Sequence, residues 1–168
     1  MRDKKVLLTT QAAMIAALYV VLTLLANALG LANYAVQVRF SEALTILPFF
    51  TPAAIPGLTA GCILSNLLTG CMPLDIIFGS LATFLGAVGT YMLRKHMWAA
   101  PIPPIAANTI IVPFILAYVY QFEGSVPYFM LTVGIGEIIS CGILGMILFG
   151  VLNRYKNVLF AKQLHNKI

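Results

Sequence analysis

Two long stretches of this chain carry no charge at all: Val6 to Val38, and again Ala43 to Leu74. A water-soluble fold needs a polar shell, and a chain that is 61% hydrophobic and only 9% charged cannot build one. A bilayer supplies the missing solvent. In that solvent every backbone polar group must be satisfied internally, which favours helices. The reading is an all-α integral membrane protein. Divided into spans of about 20 residues, 168 residues allow about six helices in one transmembrane domain over 1–168. No water-facing segment is long enough to fold alone, and no P-loop pattern is present. Any ATP chemistry is therefore expected from other chains, and this chain is not expected to be an enzyme.

The spans read along the chain as about Leu7–Leu29, a short helix opening at Ser41, then Ala53–Leu68, Ile76–Leu93, Ile105–Tyr120 and Val126–Leu152. The apolar run after MRDKK lacks a small-residue cleavage site at the usual distance, so it reads as an uncleaved first helix rather than a signal peptide. Ser41 is placed to cap the second helix, with Glu42 in its first turn. That helix is short and meets Pro48 and Pro52. If it and the third segment form a re-entrant hairpin instead, the sides on which the ends lie do not change.

The ten Lys and Arg test this count. Arg2, Lys4 and Lys5 precede the first span. Arg94 and Lys95 follow the fourth, and Arg154, Lys156, Lys162 and Lys167 follow the sixth. Six spans put these nine on one face, which the positive-inside rule makes cytoplasmic, with both termini. Only Arg39 falls elsewhere. The net charge of +5 thus reflects topology rather than nucleic-acid binding. His96 and His165 read as solvated loop residues. Cys62, Cys71 and Cys141 have no metal-ligand spacing, and neither a metal nor a cofactor is expected.

Glu42, Asp75 and Glu123 fall at or near the opposite helix ends, and Glu137 lies about three turns into the last span. A carboxylate inside a membrane helix costs about 2.5–3.5 kcal/mol near the centre, so Glu137 needs a compensating partner. Either Asn66 or Asn108 pairs with it, or it contacts a ligand or relays a proton. Arg39 and Glu42 read as a wet ion pair or as part of a loop covering a cavity. Asp75 caps the fourth helix or joins Asn66 at a ligand. Trp98, Tyr118, Tyr120 and Tyr128 fit an interfacial aromatic belt. Small-residue stripes mark close helix packing. Ala53, Gly57, Gly61 and Ser65 form one such stripe, Ala82 and Gly86 another, and Gly136 and Ser140 a third. In the first helix, Ala12, Ala13, Ala16 and Ala17 serve either internal packing or a partner subunit.

The segments RFSEAL (39–44), PFFTPAAIPGL (48–58) and DIIFGSLAT (75–83) resemble the queuosine precursor transporter family, known as QueT. Its members are substrate-binding S-components of energy-coupling factor (ECF) transporters, and the resemblance covers almost the whole chain. It implies a six-helix S-component bundle in the bacterial cell membrane, with an outward-facing pocket under the first loop. It also implies a shared transmembrane T-component and two ATPase subunits as partners, met through the alanine stripes. The implied ligand is a 7-deazaguanine base such as queuine or 7-aminomethyl-7-deazaguanine. A carboxylate suits the adjacent N–H donors of its guanine-like edge. Glu137 or Glu42 is expected to read that edge, and another acid to meet a cationic amine. Arg39, Asn66 or Gln37 would donate to the carbonyl oxygen, and Phe40, Tyr34, Phe78 or Tyr128 would stack on the ring. The competing readings are a stand-alone ion-coupled carrier with Glu137 as its proton site, and a membrane enzyme. The enzyme reading fails for want of a His or a nucleophile–base pair within any span.

Overall fold

The computed structural model describes residues 2–31 and 38–159, and within them the regular structure is helical throughout. The sequence expectations for Tyr34, Gln37, Lys162, His165 and Lys167 lie outside the described residues. Helix α1 runs Arg2–Ala28. A 3-10 helix, Phe40–Phe49, is followed by α2 (Ala54–Leu68) and α3 (Pro73–Met92). Helix α4 (Ile102–Phe114) continues into a π-helical turn, Ile115–Val119. Helix α5 (Val126–Glu137) passes through a longer π segment, Ile138–Leu144, into α6 (Gly145–Leu159).

Four stretches are long and apolar enough to cross a membrane: Lys4–Ala28, Pro73–Met92, Met97–Val119 and Val126–Lys156. The six expected segments all exist, but two are shorter than full spans. The Phe40–Phe49 segment has 10 residues and α2 has 15. At 1.5 Å per residue α2 reaches about 22 Å, short of the hydrocarbon thickness of about 30 Å. The prolines explain the first truncation. Pro48 lacks a backbone N–H, and the chain turns at Phe50 and Thr51 before α2 begins. At the far end of α2, Gly70 takes φ of +73°, a left-handed turn that glycine adopts without strain.

The expected Ser41 cap is corrected. Arg39 occupies the cap position without a side-chain bond, and Ser41 sits inside the 3-10 helix, where its Oγ accepts from Thr23 Oγ1 at 2.8 Å. Buried on several sides, this short helix plugs the middle of the bundle rather than lining its edge. Leu44 and Leu47 pack with Tyr19, Ala54 and Leu58. Ile46 packs with Ala100 and Phe149. Phe49 and Phe50 close its end against Phe149, with ring centroids 4.8 and 5.1 Å away.

Small residues set the helix separations, as expected where lipid provides no hydrophobic drive between helices. A Cβ on Gly57 would come 2.7 Å from the Ala12 carbonyl oxygen, and one on Gly61 would come 2.7 Å from Tyr19 Cβ. Ala12 and Ala16 are therefore taken up by α2 within the chain, while Ala13 and Ala17 are exposed. On the other side, Cβ atoms on Gly86 and Gly89 would strike Pro104 and Pro103 at 2.7 and 2.5 Å. The α3 and α4 backbones thus lie against each other at the end where α4 starts.

The Gly61→Val variant is expected to lose about 1–3 kcal/mol through overpacking against α1, read as a lowered unfolding temperature in detergent. The Gly150→Ala control, whose Cβ would meet nothing within 4 Å, should leave that temperature unchanged or raise it.

Candidate functional site

Helices α1, α2, α3, α4 and α5 splay around a chamber of about 460 Å³ at the end of the bundle where α1 finishes and α3 begins. That volume falls within the range of small-molecule pockets. Its lower wall leads to a much smaller annex of about 20 Å³. Arg39, Asp75 and Val112 line both spaces, so the two are contiguous.

The chamber's polar wall is built by α2 and α3. Asp75 lies in the first turn of α3, where its charge favours the helix N-terminus. Met72, not Asp75, occupies the cap position. The Asp75 carboxylate instead accepts a 2.8 Å hydrogen bond from Tyr120 Oη, which itself accepts the Met72 N–H at 3.2 Å. Tyr120 follows the π turn of α4, and it is this turn's end that carries the phenol across to α3. Burial holds the Tyr120 phenol above its ordinary value, and donation to Asp75 adds to this, so it stays a protonated donor at neutral pH. Gly79, one turn after Asp75, leaves the space in which Asp75 and Asn66 face each other. A Cβ there would sit 3.2 Å from Asp75 Oδ1 and 3.4 Å from Asn66 Nδ2. The rest of the lining sets apolar and aromatic side chains, among them Leu116, Phe122, Tyr128 and Phe129, beside the polar Thr23, Asn27, Arg39 and Glu123.

The annex below is acidic. Glu42, from the 3-10 helix, is 2% exposed, and Glu137, at the end of α5, is 8% exposed. Glu42 accepts a short hydrogen bond from Tyr19 Oη through Oε1. Its other oxygen, Oε2, is buried and has no hydrogen-bond partner. Glu137 Oε2 accepts from Cys141 Sγ at 3.1 Å, and the Asn108 amide lies beside both carboxyls. One ligating atom each from Glu42, Glu137 and Cys141 lie within 4.8 Å of one another, so these three could together hold a cation. The Arg39 backbone N–H is fixed by Ser140 Oγ at 3.1 Å, which ties the 3-10 helix to the π segment after Glu137.

The structure brings together Glu137, Glu42, Arg39, Asp75, Asn66 and Tyr128 around these two spaces. Phe78 and Phe40 line neither: Phe78 is 44% exposed on α3 and Phe40 is half-buried. Phe78 follows Ile77 along a helix whose exposed face continues through Leu81 and Phe84, so it belongs to the outward stripe. Residues the sequence reading passed over also appear. Tyr120, which by sequence fits the aromatic belt, instead turns inward to Asp75. Tyr19, Thr23 and Asn27 form a polar stripe at a spacing of four along α1. Tyr19 grips Glu42, and Thr23 and Asn27 line the chamber. That spacing was visible in the sequence, since side chains four apart share one helix face.

The model of the QueT transporter family matches residues 9–154, nearly all of the described chain. The chain belongs to the QueT transporter family. The family is one of transporters, and the four stretches long and apolar enough to cross a membrane agree with a membrane protein. A protein named queuosine precursor transporter QueT, from Lactococcus lactis subsp. cremoris (strain MG1363), is 37% identical over 73 residues. That match spans 44% of this chain and 43% of the relative, less than half of either. No solved structure matches this chain.

The Tyr19→Phe variant removes the phenol donor from Glu42 Oε1 in a buried site. It is expected to cost about 1–3 kcal/mol of stability, measured as a fall in unfolding temperature. The Tyr118→Phe control, at a side chain 72% exposed, should be silent.

Proposed function

We propose that this chain is the membrane subunit that captures a queuosine precursor, a 7-deazaguanine base, for uptake into the cell. It does so as the S-component of an ECF-type importer, together with a T-component and two ATPase subunits. In this reading the chain lies in the bacterial cell membrane with both termini in the cytoplasm. The two short helices complete six segments, and the chamber opens outward. The exposed Ala13 and Ala17 lie on the flank of α1 left open for the T-component.

The observation that carries the reading is the chamber of about 460 Å³ whose polar wall sets Asp75 opposite Asn66 across Gly79. A guanine-like edge presents adjacent N–H donors and a carbonyl oxygen. Asp75 supplies a carboxylate acceptor whose geometry Tyr120 fixes, and Asn66 and Arg39 supply donors for the carbonyl. Tyr128 and Phe129 offer ring faces on which a flat heterocycle stacks, at about 1–3 kcal/mol per base. Family membership and the name of the Lactococcus relative point to the same substrate class.

A stand-alone ion-coupled carrier is the second reading, favoured by the buried Glu42 and Glu137 carboxyls. Vesicle assays separate the two. The S-component reading expects uptake only when the T-component and ATPases are co-reconstituted and ATP is supplied, whereas uptake by this chain alone under an ion gradient would establish the carrier.

Calorimetric titration of the purified protein tests the substrate class. Deazaguanine bases should bind more tightly than guanine, and equal affinity for guanine would refute the assignment. Asp75→Asn should weaken deazaguanine binding by at least about tenfold, equivalent to about 1.4 kcal/mol, because an amide cannot accept both edge protons.

A further inference from the structure

Below the chamber, three side chains of the kinds that ligate metals converge in the interior. Glu42, Glu137 and Cys141 are all buried, and one ligating atom from each lies within 4.8 Å of the other two. Glu42 and Glu137 line the annex of about 20 Å³, room for a single ion or water, since one water-sized sphere needs about 10–15 Å³. Glu42 Oε2 is buried with no hydrogen-bond partner, on a residue 2% exposed. An orphaned acceptor of that kind costs about 1–3 kcal/mol, more if charged. The surrounding contacts have the form of a metal site's outer shell, in which hydrogen bonds orient the ligating groups. Tyr19 Oη donates to Glu42 Oε1 and so leaves Oε2 as the open ligand atom. Thr45 Oγ1 donates to Cys141 Sγ at 3.4 Å, and the Asn108 amide lies beside both carboxyls. The sequence shows no metal motif because Glu137 and Cys141, four apart on one helix face, meet Glu42 only through the fold.

We propose that Glu42, Glu137 and Cys141 form a binding site for one thiophilic divalent cation, with zinc the best fit. Two carboxylates and a thiolate make three protein ligands, and the annex leaves a fourth position for water, an arrangement zinc takes readily. The thiolate selects against magnesium and calcium, which take oxygen ligands. Tetrahedral zinc sets its ligands about 3.3–3.8 Å apart, and Glu137 Oε2 and Cys141 Sγ already stand 3.1 Å apart. Charge is matched as well. As the metal–sulfur bond forms, the Cys141 S–H bond breaks and its proton leaves to solvent. The ion then meets two of the three ligand charges, and the Arg39 guanidinium, which lines the same annex, meets the third. Asp75, the remaining acid on the annex, is held by the Tyr120 phenol. The ion reaches the site from the chamber, because Arg39, Asp75 and Val112 line both spaces.

The experiment is anaerobic titration of the purified full chain with cobalt(II) and then zinc, followed by near-ultraviolet absorption. It is run in a Cys71→Ser background, which removes the partly exposed thiol. Cobalt should give a thiolate-to-metal charge-transfer band that saturates at one ion per chain, and zinc should abolish it. Histidine sites give no such band. Glu42→Gln and Glu137→Gln should each weaken cobalt binding by at least about tenfold. Cys141→Ala should lose the band, and Cys62→Ala should keep it. Absence of the band in the background protein overturns the site. So does a band that survives Cys141→Ala, an affinity undiminished in both glutamate variants, or displacement of cobalt by an equal concentration of magnesium. Should these variants fail to fold, the unfolding temperature of the background protein decides: zinc should raise it and a chelator restore it, and no change overturns the site. No organic ligand enters the test, so its failure leaves the chamber's deazaguanine assignment untouched.

Discussion

The bond from Tyr19 to Glu42 holds the centre of this protein together. A carboxyl on a short 3-10 helix deep in an apolar bundle is expensive, and the phenol on α1 is what makes it tolerable. The same contact fixes where the short helix sits. Thr23, one turn further along α1, binds Ser41 beside it, and Arg39 and Thr45 tie the other flank to Ser140 and Cys141. The plug is thus held by polar bonds from two long helices. The polar groups it carries, Arg39 and Glu42, arrive at defined positions at the head of the bundle's core.

Around that plug the bundle is tight at one end and open at the other, for reasons of side-chain size. Gly57 and Gly61 let α2 lie against Ala12, Ala16 and Tyr19, and Gly86 and Gly89 let α4 lie against α3 through Pro103 and Pro104. At the other end larger side chains such as Leu116, Phe122 and Phe129 stand at the walls of a chamber. The gradation from closed core through a water-sized annex to a ligand-sized chamber follows from where glycine, alanine and proline stop.

Both helices that shape the polar floor change their winding there. The π turn at Ile115–Val119 places Ile115 and Leu116 on the chamber, and Tyr120 next to Asp75. The π segment Ile138–Leu144 begins immediately after Glu137 and turns Ser140 and Cys141 toward the short helix. A π segment trades regular i to i−4 bonding for a shifted register of side chains, a cost usually met at functional sites. Here the shift brings two polar partners, Ser140 and Cys141, to the plug from one turn of helix.

The sequence by itself determined the helical class, the apolar segments and the polar residues that demand a reason. Charge-free runs and a carboxylate within an apolar span are local properties, and the bilayer solvent converts them directly into spans and anomalies. Glu137, Glu42, Arg39, Asp75 and Asn66 were legible on those terms, and RFSEAL and DIIFGSLAT carried the family. Tertiary structure alone decided the rest. Tyr120 looked like a belt tyrosine because its distance from a helix end is readable, whereas the π turn that swings it to Asp75 is not. Phe78 looked like a stacking ring, and only the packing of α3 shows which side faces outward. The split of the alanines into an inner pair and an exposed pair depends on α2's glycines, far along the chain. Most of all, the depth of each acid was set by which helices touch and how closely. Distance between residues remote in sequence is a property of packing, and no local pattern encodes it.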